Sequence, residues 1–156
     1  MPVTLNANTS TGLVQTADTS GVITLQNNGT NALTVDSGNL QFNSGYGSVA
    51  TAYGCRAWVN FNGTGTVAIR SSGNVTSITD NGTGDYTVNF TNAMPDANYA
   101  VAFMIQNSAT VRFETAVIRG DVNPAASSLR FVTGISDYGV ANYQLDVPIV
   151  CVSIFR

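Results

Sequence analysis

The chain has 156 residues, of which Asn, Ser, Thr and Gly supply 64, and only 10% are charged. All six basic residues are Arg, His is absent, Glu114 stands beside eight Asp, and the net charge is −3. Nucleic-acid affinity rests on clustered Lys and Arg, and His is the side chain most used for acid–base catalysis and metal ligation near neutral pH. Neither a nucleic-acid partner nor an enzyme is therefore expected.

A hydrophobic fraction of 44% and a small net charge argue against a disordered chain. The N-terminus, Met1-Pro2-Val3-Thr4-Leu5-Asn6, has no basic region and no long apolar run. No stretch approaches the ~20 apolar residues of a membrane helix. The expectation is a protein made in a cytosol-like compartment without membrane insertion.

In chain order, short β-prone runs open the sequence: Gly12–Thr16, Val22–Gln26, Ala32–Asp36 and Leu40–Phe42. Between them lie Asp18-Thr19-Ser20-Gly21, Asn27-Asn28-Gly29-Thr30 and Asp36-Ser37-Gly38-Asn39, which supply the positive φ of tight hairpins. Ile23 and Leu25 alternate with Thr24 and Gln26, and Leu33 and Val35 with Thr34 and Asp36. The resulting apolar stripe is thin, and such hairpins are marginal alone. They need the rest of the chain, identical copies or another protein to pack on. Residues 43–54 are rich in Gly and small side chains and read as a linker, which divides the chain into a β segment, 1–45, and a second domain, 46–156.

The strands then become heavier. In Cys55–Phe61, Trp58 takes one face and Val59 and Phe61 the other. Thr66–Arg70 follows, and Asn74–Thr79 and Tyr86–Phe90 flank Asp80-Asn81-Gly82-Thr83-Gly84-Asp85 as a hairpin with a longer loop. Met94–Asn98 is a turn, and the apolar run Tyr99–Gln106 is consistent with a central strand. Val111–Ile118, Leu129–Thr133 and a terminal run, Val147–Phe155, complete the set, the last expected to be tied into a core. About eight strands over ~110 residues indicate an antiparallel β-sandwich, jelly-roll-like, preceded by a β-hairpin stalk or attachment segment. Cys55 and Cys151 read as two buried free thiols, with a disulfide as the alternative.

Few motifs carry chemistry. Gly45-Tyr46-Gly47-Ser48-Val49-Ala50 matches the dinucleotide fingerprint in letters, but no helix follows and position 70 is Arg. Asp80 to Asp85 lacks the spacing and closing Glu of a calcium loop. Arg112 and Glu114 would share a strand face, which suits a surface ion pair or interchain pairing. No catalytic residue, metal or cofactor is expected. The candidate contacts are tyrosines set among Gly, Ser and Asn: Tyr46, Tyr53, Tyr138 and Tyr143. That is the composition of adaptable binding loops, and sugars suit it through ring stacking and hydrogen bonds to amides. Packing over loop cores is the alternative role for the same rings.

The run Cys55-Arg56-Ala57-Trp58-Val59-Asn60-Phe61-Asn62-Gly63-Thr64-Gly65, with Ile69-Arg70, Ser77-Ile78-Thr79-Asp80, Gly82-Thr83-Gly84-Asp85-Tyr86 and Met94-Pro95-Asp96-Ala97-Asn98-Tyr99, carries a family likeness. It resembles the C-terminal knob module of tail-fibre-like virion structural proteins of tailed bacteriophages, of the marine phage type. The likeness covers about residues 50–156 and is tightest over 55–101. The hairpins before it are similar to the shaft-like segments that precede such modules. The resemblance implies a homotrimeric fibre, spike or knob on the capsid or tail, joined to other virion proteins through the N-terminal segment and contacting host surface glycans. It supplies no catalytic motif. The short N-terminal region leans toward a short fibre or capsid decoration. A carbohydrate-binding β-sandwich, monomeric or oligomeric, is the alternative expectation.

Overall fold

The computed structural model describes residues 20–42, 50–106, 114–135 and 143–156. Within them the chain is all-β, and every strand pair is antiparallel. It divides into two compact units, with Ala52 ending the first and Tyr53 starting the second. The expected boundary near residue 46 and the Gly12–Thr16 run lie outside the described residues.

The first unit is a meander of β1 (Ile23–Asn27), β2 (Thr30–Asp36), β3 (Asn39–Phe42) and β4 (Ala50–Thr51), paired in that order. Its first two connections are the two-residue turns Asn28-Gly29 and Ser37-Gly38, and all four residues have positive φ, between 49° and 78°. That is the turn whose twist matches two antiparallel strands. Register then sorts the side chains. Ile23, Val35 and Leu40 form one cross-strand row, and Leu25, Leu33, Phe42 and Ala50 form the next. These rows share a face. On the opposite face Thr24, Thr34, Gln41 and Thr51 make a row of their own. Thr34 is buried, and its Oγ1 has no hydrogen-bond partner among the described residues.

The second unit is a sandwich. One sheet has the order β6-β5-β13-β9, from β6 (Ala68–Gly73), β5 (Cys55–Asn62), β13 (Val150–Phe155) and β9 (Ala100–Ile105). The other has the order β10-β11-β8-β7, from β10 (Glu114–Ile118), β11 (Ser128–Ile135), β8 (Asp85–Phe90) and β7 (Val75–Gly82), with β12 (Tyr143–Gln144) also on β11. Alternation aims Ala57, Val59, Phe61, Val150, Val152 and Ile154 inward from the first sheet. Tyr86, Val88, Phe90, Leu129 and Phe131 meet them from the second. Aromatic contacts cross the interior: Phe61 meets Tyr86 and Phe131 edge-on, at 5.2 Å and 6.3 Å between centroids, and Phe103 lies tilted against Phe131 at 5.1 Å. The terminal strand is tied into the core as expected, between β5 and β9.

Two polar anchors hold the sheets in register with each other. The buried Tyr86 hydroxyl donates to Asp146 Oδ1 at 2.7 Å and lies 2.8 Å from Gly63 O, and Gly84 N also donates to that carboxylate, at 2.6 Å. Burial, then the neighbouring carboxylate, push the phenol well above its ordinary pKa, so it stays a donor. Gly84 has φ +64°, and a Cβ there would stand 2.5 Å from Thr133 O, so only glycine fits. At the corner between β6 and β7, Asn74 takes φ 56°, a conformation asparagine tolerates. Its Nδ2 donates to Arg56 O and Asn92 O, and its Oδ1 accepts from Asn92 N at 2.8 Å.

Three expectations are corrected. The longer loop expected over Asp80–Asp85 is a two-residue connection, Thr83-Gly84, because β7 runs on to Gly82 and pairs it with Asp85 at the start of β8. The apolar run at Tyr99–Gln106 is an edge strand, because β13 takes the central place and β9 pairs with it alone among the described residues. Its inward residues pack on the core, while Ala100, Ala102 and Met104 face out. The cysteines are both free, but Cys55 is exposed and Cys151 half-buried. Cys151 alternates outward with Ser153, and an irregularity near the end of β13 sets Cys55 opposite Phe155.

Phe131 tests the core. It is fully buried against Phe61, Tyr86 and Phe103. Phe131→Ala should cost about 3–5 kcal/mol in urea unfolding of the full chain, with a lowered midpoint; an unchanged midpoint would place the core elsewhere.

Candidate ligand-binding face

The four tyrosines singled out from the sequence do not form one described cluster. Tyr46 and Tyr138 lie outside the described residues. Tyr53 is 77% exposed and borders a depression of about 370 Å³ with Asn98, Ala100, Phe155 and Arg156. Tyr143 belongs to β12, not to a loop, and lines a depression of about 280 Å³ with Thr115, Val117, Val132, Gly134 and Gln144 among others. Tyr53 thus stands by the first sheet of the sandwich and Tyr143 on the second.

The rim of the Tyr53 depression is organised by Asp96, in the turn expected at Met94–Asn98. Its Oδ1 accepts the Asn98 backbone N–H at 2.8 Å, an Asx turn. Its carboxylate also takes both prongs of Arg156, Nε at 3.0 Å and Nη2 at 2.5 Å. The Arg156 hydrogen bond, then the Asn98 N–H, hold Asp96 below the usual carboxylate range. Close by, Tyr99 donates to Ala125 O and Ser128 O, and burial pushes its phenol up to about 12.

The outer face of the first sheet continues from this rim. Gly73, Trp58, Ser153 and Ala102 make one cross-strand row, and Cys55, Phe155 and Ala100 another. Neither row holds a charge. The Trp58 indole lies across Gly73: a Cβ added there would stand 2.5 Å from Nε1. One ring face is thereby covered by glycine backbone, and the side chain stays 42% exposed. Phe155 and Trp58 are diagonal neighbours on this face.

The second sheet is finished differently. Asn89 Nδ2 donates to Ser77 Oγ and Thr79 Oγ1, and Asn81 Nδ2 to Thr87 Oγ1. Asp85, only 4% exposed, receives Arg130 through Nε at 2.9 Å and Nη2 at 2.8 Å, and also Arg119 Nη1. Arg119 Nε reaches Asp121 at 2.6 Å. The Arg130 hydrogen bonds, aided by the charges of Arg130 and Arg119 and opposed by burial, lower the Asp85 pKa. Carboxylates held ionised by guanidinium groups suit fixed ion pairs, not proton transfer near neutral pH.

Sequence reasoning missed Phe155, Arg156, Asn98 and the Trp58–Gly73 pair as a shared surface. Alternation along Val150–Phe155 contains the signal for Phe155, but cross-strand register is needed to bring the others to it. The expected Arg112–Glu114 pair lies partly outside the described residues, since Arg112 is not among them. Among the described residues, no group of three or more His, Cys, Asp or Glu could hold a metal ion, and no helix is long and apolar enough to cross a membrane. Comparison with known proteins found no matching family model, no matching curated protein and no matching solved structure.

Asp85→Asn tests the buried ion group. It leaves two guanidinium groups facing a neutral amide and should cost about 2–3 kcal/mol at pH 7. A folded-state pKa below the unfolded value means that stability is present above the ordinary Asp range and is lost as pH falls through the folded pKa. The gap between wild type and variant in urea unfolding should therefore narrow under acid conditions; a gap independent of pH would contradict the assignment.

Proposed function

We propose that this chain is a non-enzymatic structural protein of a bacteriophage virion. It forms a homotrimeric fibre, spike or knob on the capsid or tail, in which the first sheet is the stalk or attachment element and the sandwich is the knob. One observation carries the reading. The first sheet gathers Ile23, Leu25, Val35, Leu40 and Phe42 on one face, and each is about two-fifths to one-half exposed. Antiparallel sheets with one covered face normally bury the apolar side and wet the polar one. Here the apolar side is the open one.

Fully burying a side chain of this size stabilises by roughly 1.5–3 kcal/mol relative to leaving it exposed, so closing the face of every copy gives a substantial driving force. Identical copies arranged about an axis satisfy that demand with one sequence and remove exposed edges at the same time. The resemblance over residues 55–101 favours threefold closure and a virion location, reached from the host cytoplasm by assembly. A carbohydrate-binding sandwich is the second reading, favoured by the aromatic depression at Tyr53.

Native mass spectrometry of the full chain at micromolar concentration should show a species of three times the 16.3 kDa chain mass. The double variant Leu25→Thr, Phe42→Thr keeps strand preference and should shift the population to single chains, with Trp58 fluorescence unchanged. A stable single chain of the wild type would overturn the trimer.

A further inference from the structure

We propose that the free edge of β9 is a strand-addition site, which takes an extended, uncharged peptide segment of another protein as a further strand of the sandwich. The site lies on the sandwich and is separate from the closure of the first sheet.

The backbone fixes what this edge can hold. β9 pairs with β13 alone among the described residues, in one unbroken antiparallel register from Ala100 opposite Phe155 to Ile105 opposite Val150. One step beyond that register, Gln106 N donates to Ile149 O at 2.9 Å. Opposed residues of an antiparallel pair exchange both backbone bonds at every second position. Met104, Ala102 and Ala100 are in phase with Gln106 and turn their N–H and C=O groups toward β13. Val101, Phe103 and Ile105 turn theirs away from it, and these groups find no partner among the described residues. An extended backbone carries donors and acceptors at the same two-residue spacing, so one added strand satisfies them together.

The side chains set the chemistry of that strand. Val101, Phe103 and Ile105 pack on the core but stay half-buried, whereas Val59, Phe61, Val150 and Val152 on the inner strands are at most 1% exposed. The core is therefore open along β9, and the core-facing residues of an added strand must be apolar. A charge there would be buried against Phe103 without a partner. On the outer face Ala100 and Ala102 are small and leave room for larger ligand side chains.

The other edges of the sandwich are guarded. In β6, Arg70 is the unpaired residue of a bulge. β7 carries Asp80 and is bulged at Thr76 and Asn81. β10 opens with Glu114. Charges and bulges are the usual means of keeping strands off an edge; β9 has neither, and no proline. A second copy of β9 is not the occupant, because two such edges pair about a twofold axis, which a threefold assembly lacks.

The test is amide hydrogen exchange of the full chain, read residue by residue by NMR, with the peptide acetyl-Ser-Val-Thr-Val-Thr-Val-Ser-amide. In the free chain the amides of Ala102, Met104 and Gln106 should exchange slowly and those of Val101, Phe103 and Ile105 fast. The peptide, added up to about 1 mM, should bind saturably and slow the second set at least tenfold. Its analogue N-methylated at the valines, and the analogue with Asp in place of Val, should do neither. Val101→Pro, which replaces an edge N–H, should abolish the effect with Trp58 fluorescence unchanged, while Thr115→Lys on β10 leaves it intact. The N-methylated analogue decides the matter even where Val101→Pro does not fold. Absence of saturable binding overturns the proposal, as does equal binding of the N-methylated analogue. Slow exchange of Val101, Phe103 and Ile105 in the free chain also overturns it, since the edge is then already covered by the chain or by a copy.

Discussion

Everything in this structure depends on how a chain with 10% charged residues finishes the faces of its sheets. A β-sheet has two faces, and each must be buried, wetted by polar groups or covered by a partner. Where charge is scarce, the wet faces have to come from amides and hydroxyls. The Asn89–Ser77–Thr79 and Asn81–Thr87 bonds show that solution on the second sheet of the sandwich. Each such cross-strand pair is worth only a fraction of a kcal/mol, but together they satisfy the surface locally. The charged residue that is buried among the described residues is Asp85, which ties β8 to β11 through Arg130 and to Arg119 just beyond β10.

Against that background the uncovered faces stand out. The first sheet opens Leu25, Leu40 and Phe42 to solvent while burying Thr34 on its polar side. The outer face of the sandwich's first sheet exposes Trp58, Met104 and Phe155 between small residues. The two cases differ in shape. One is an array of aliphatic rows suited to burial against copies of itself. The other sets exposed aromatic rings among small residues and borders a shallow depression beside Tyr53, Phe155 and Arg156.

Much of the fold was legible from local pattern. Asn28-Gly29 and Ser37-Gly38 specify their hairpins through φ alone, and alternation in Cys55–Phe61 assigns Trp58 outward and Val59 and Phe61 inward. What local pattern does not carry is pairing across long sequence separations. Tyr99–Gln106 is as apolar as a central strand, yet its place at the sheet edge is decided by β13, about 50 residues later. Asp85 looked like one residue of a polar loop, and its role needs Arg119 and Arg130 brought beside it by β10 and β11. Tyr53 and Tyr143 were found by composition, but composition does not say that they belong to different sheets. Arg156 and Asp96, sixty residues apart, meet only in the folded chain.

The central claim is that the apolar face of the first sheet is covered by other copies. Hydroxyl-radical footprinting of the full chain at micromolar concentration, read by peptide mass spectrometry, tests it most directly. The account predicts that Leu25, Leu40 and Phe42 are strongly protected, although each is more than two-fifths exposed in the single chain, while Met104, 73% exposed, oxidises freely as the internal reference. Oxidation of Leu25, Leu40 and Phe42 at the rates their single-chain exposure sets would contradict it.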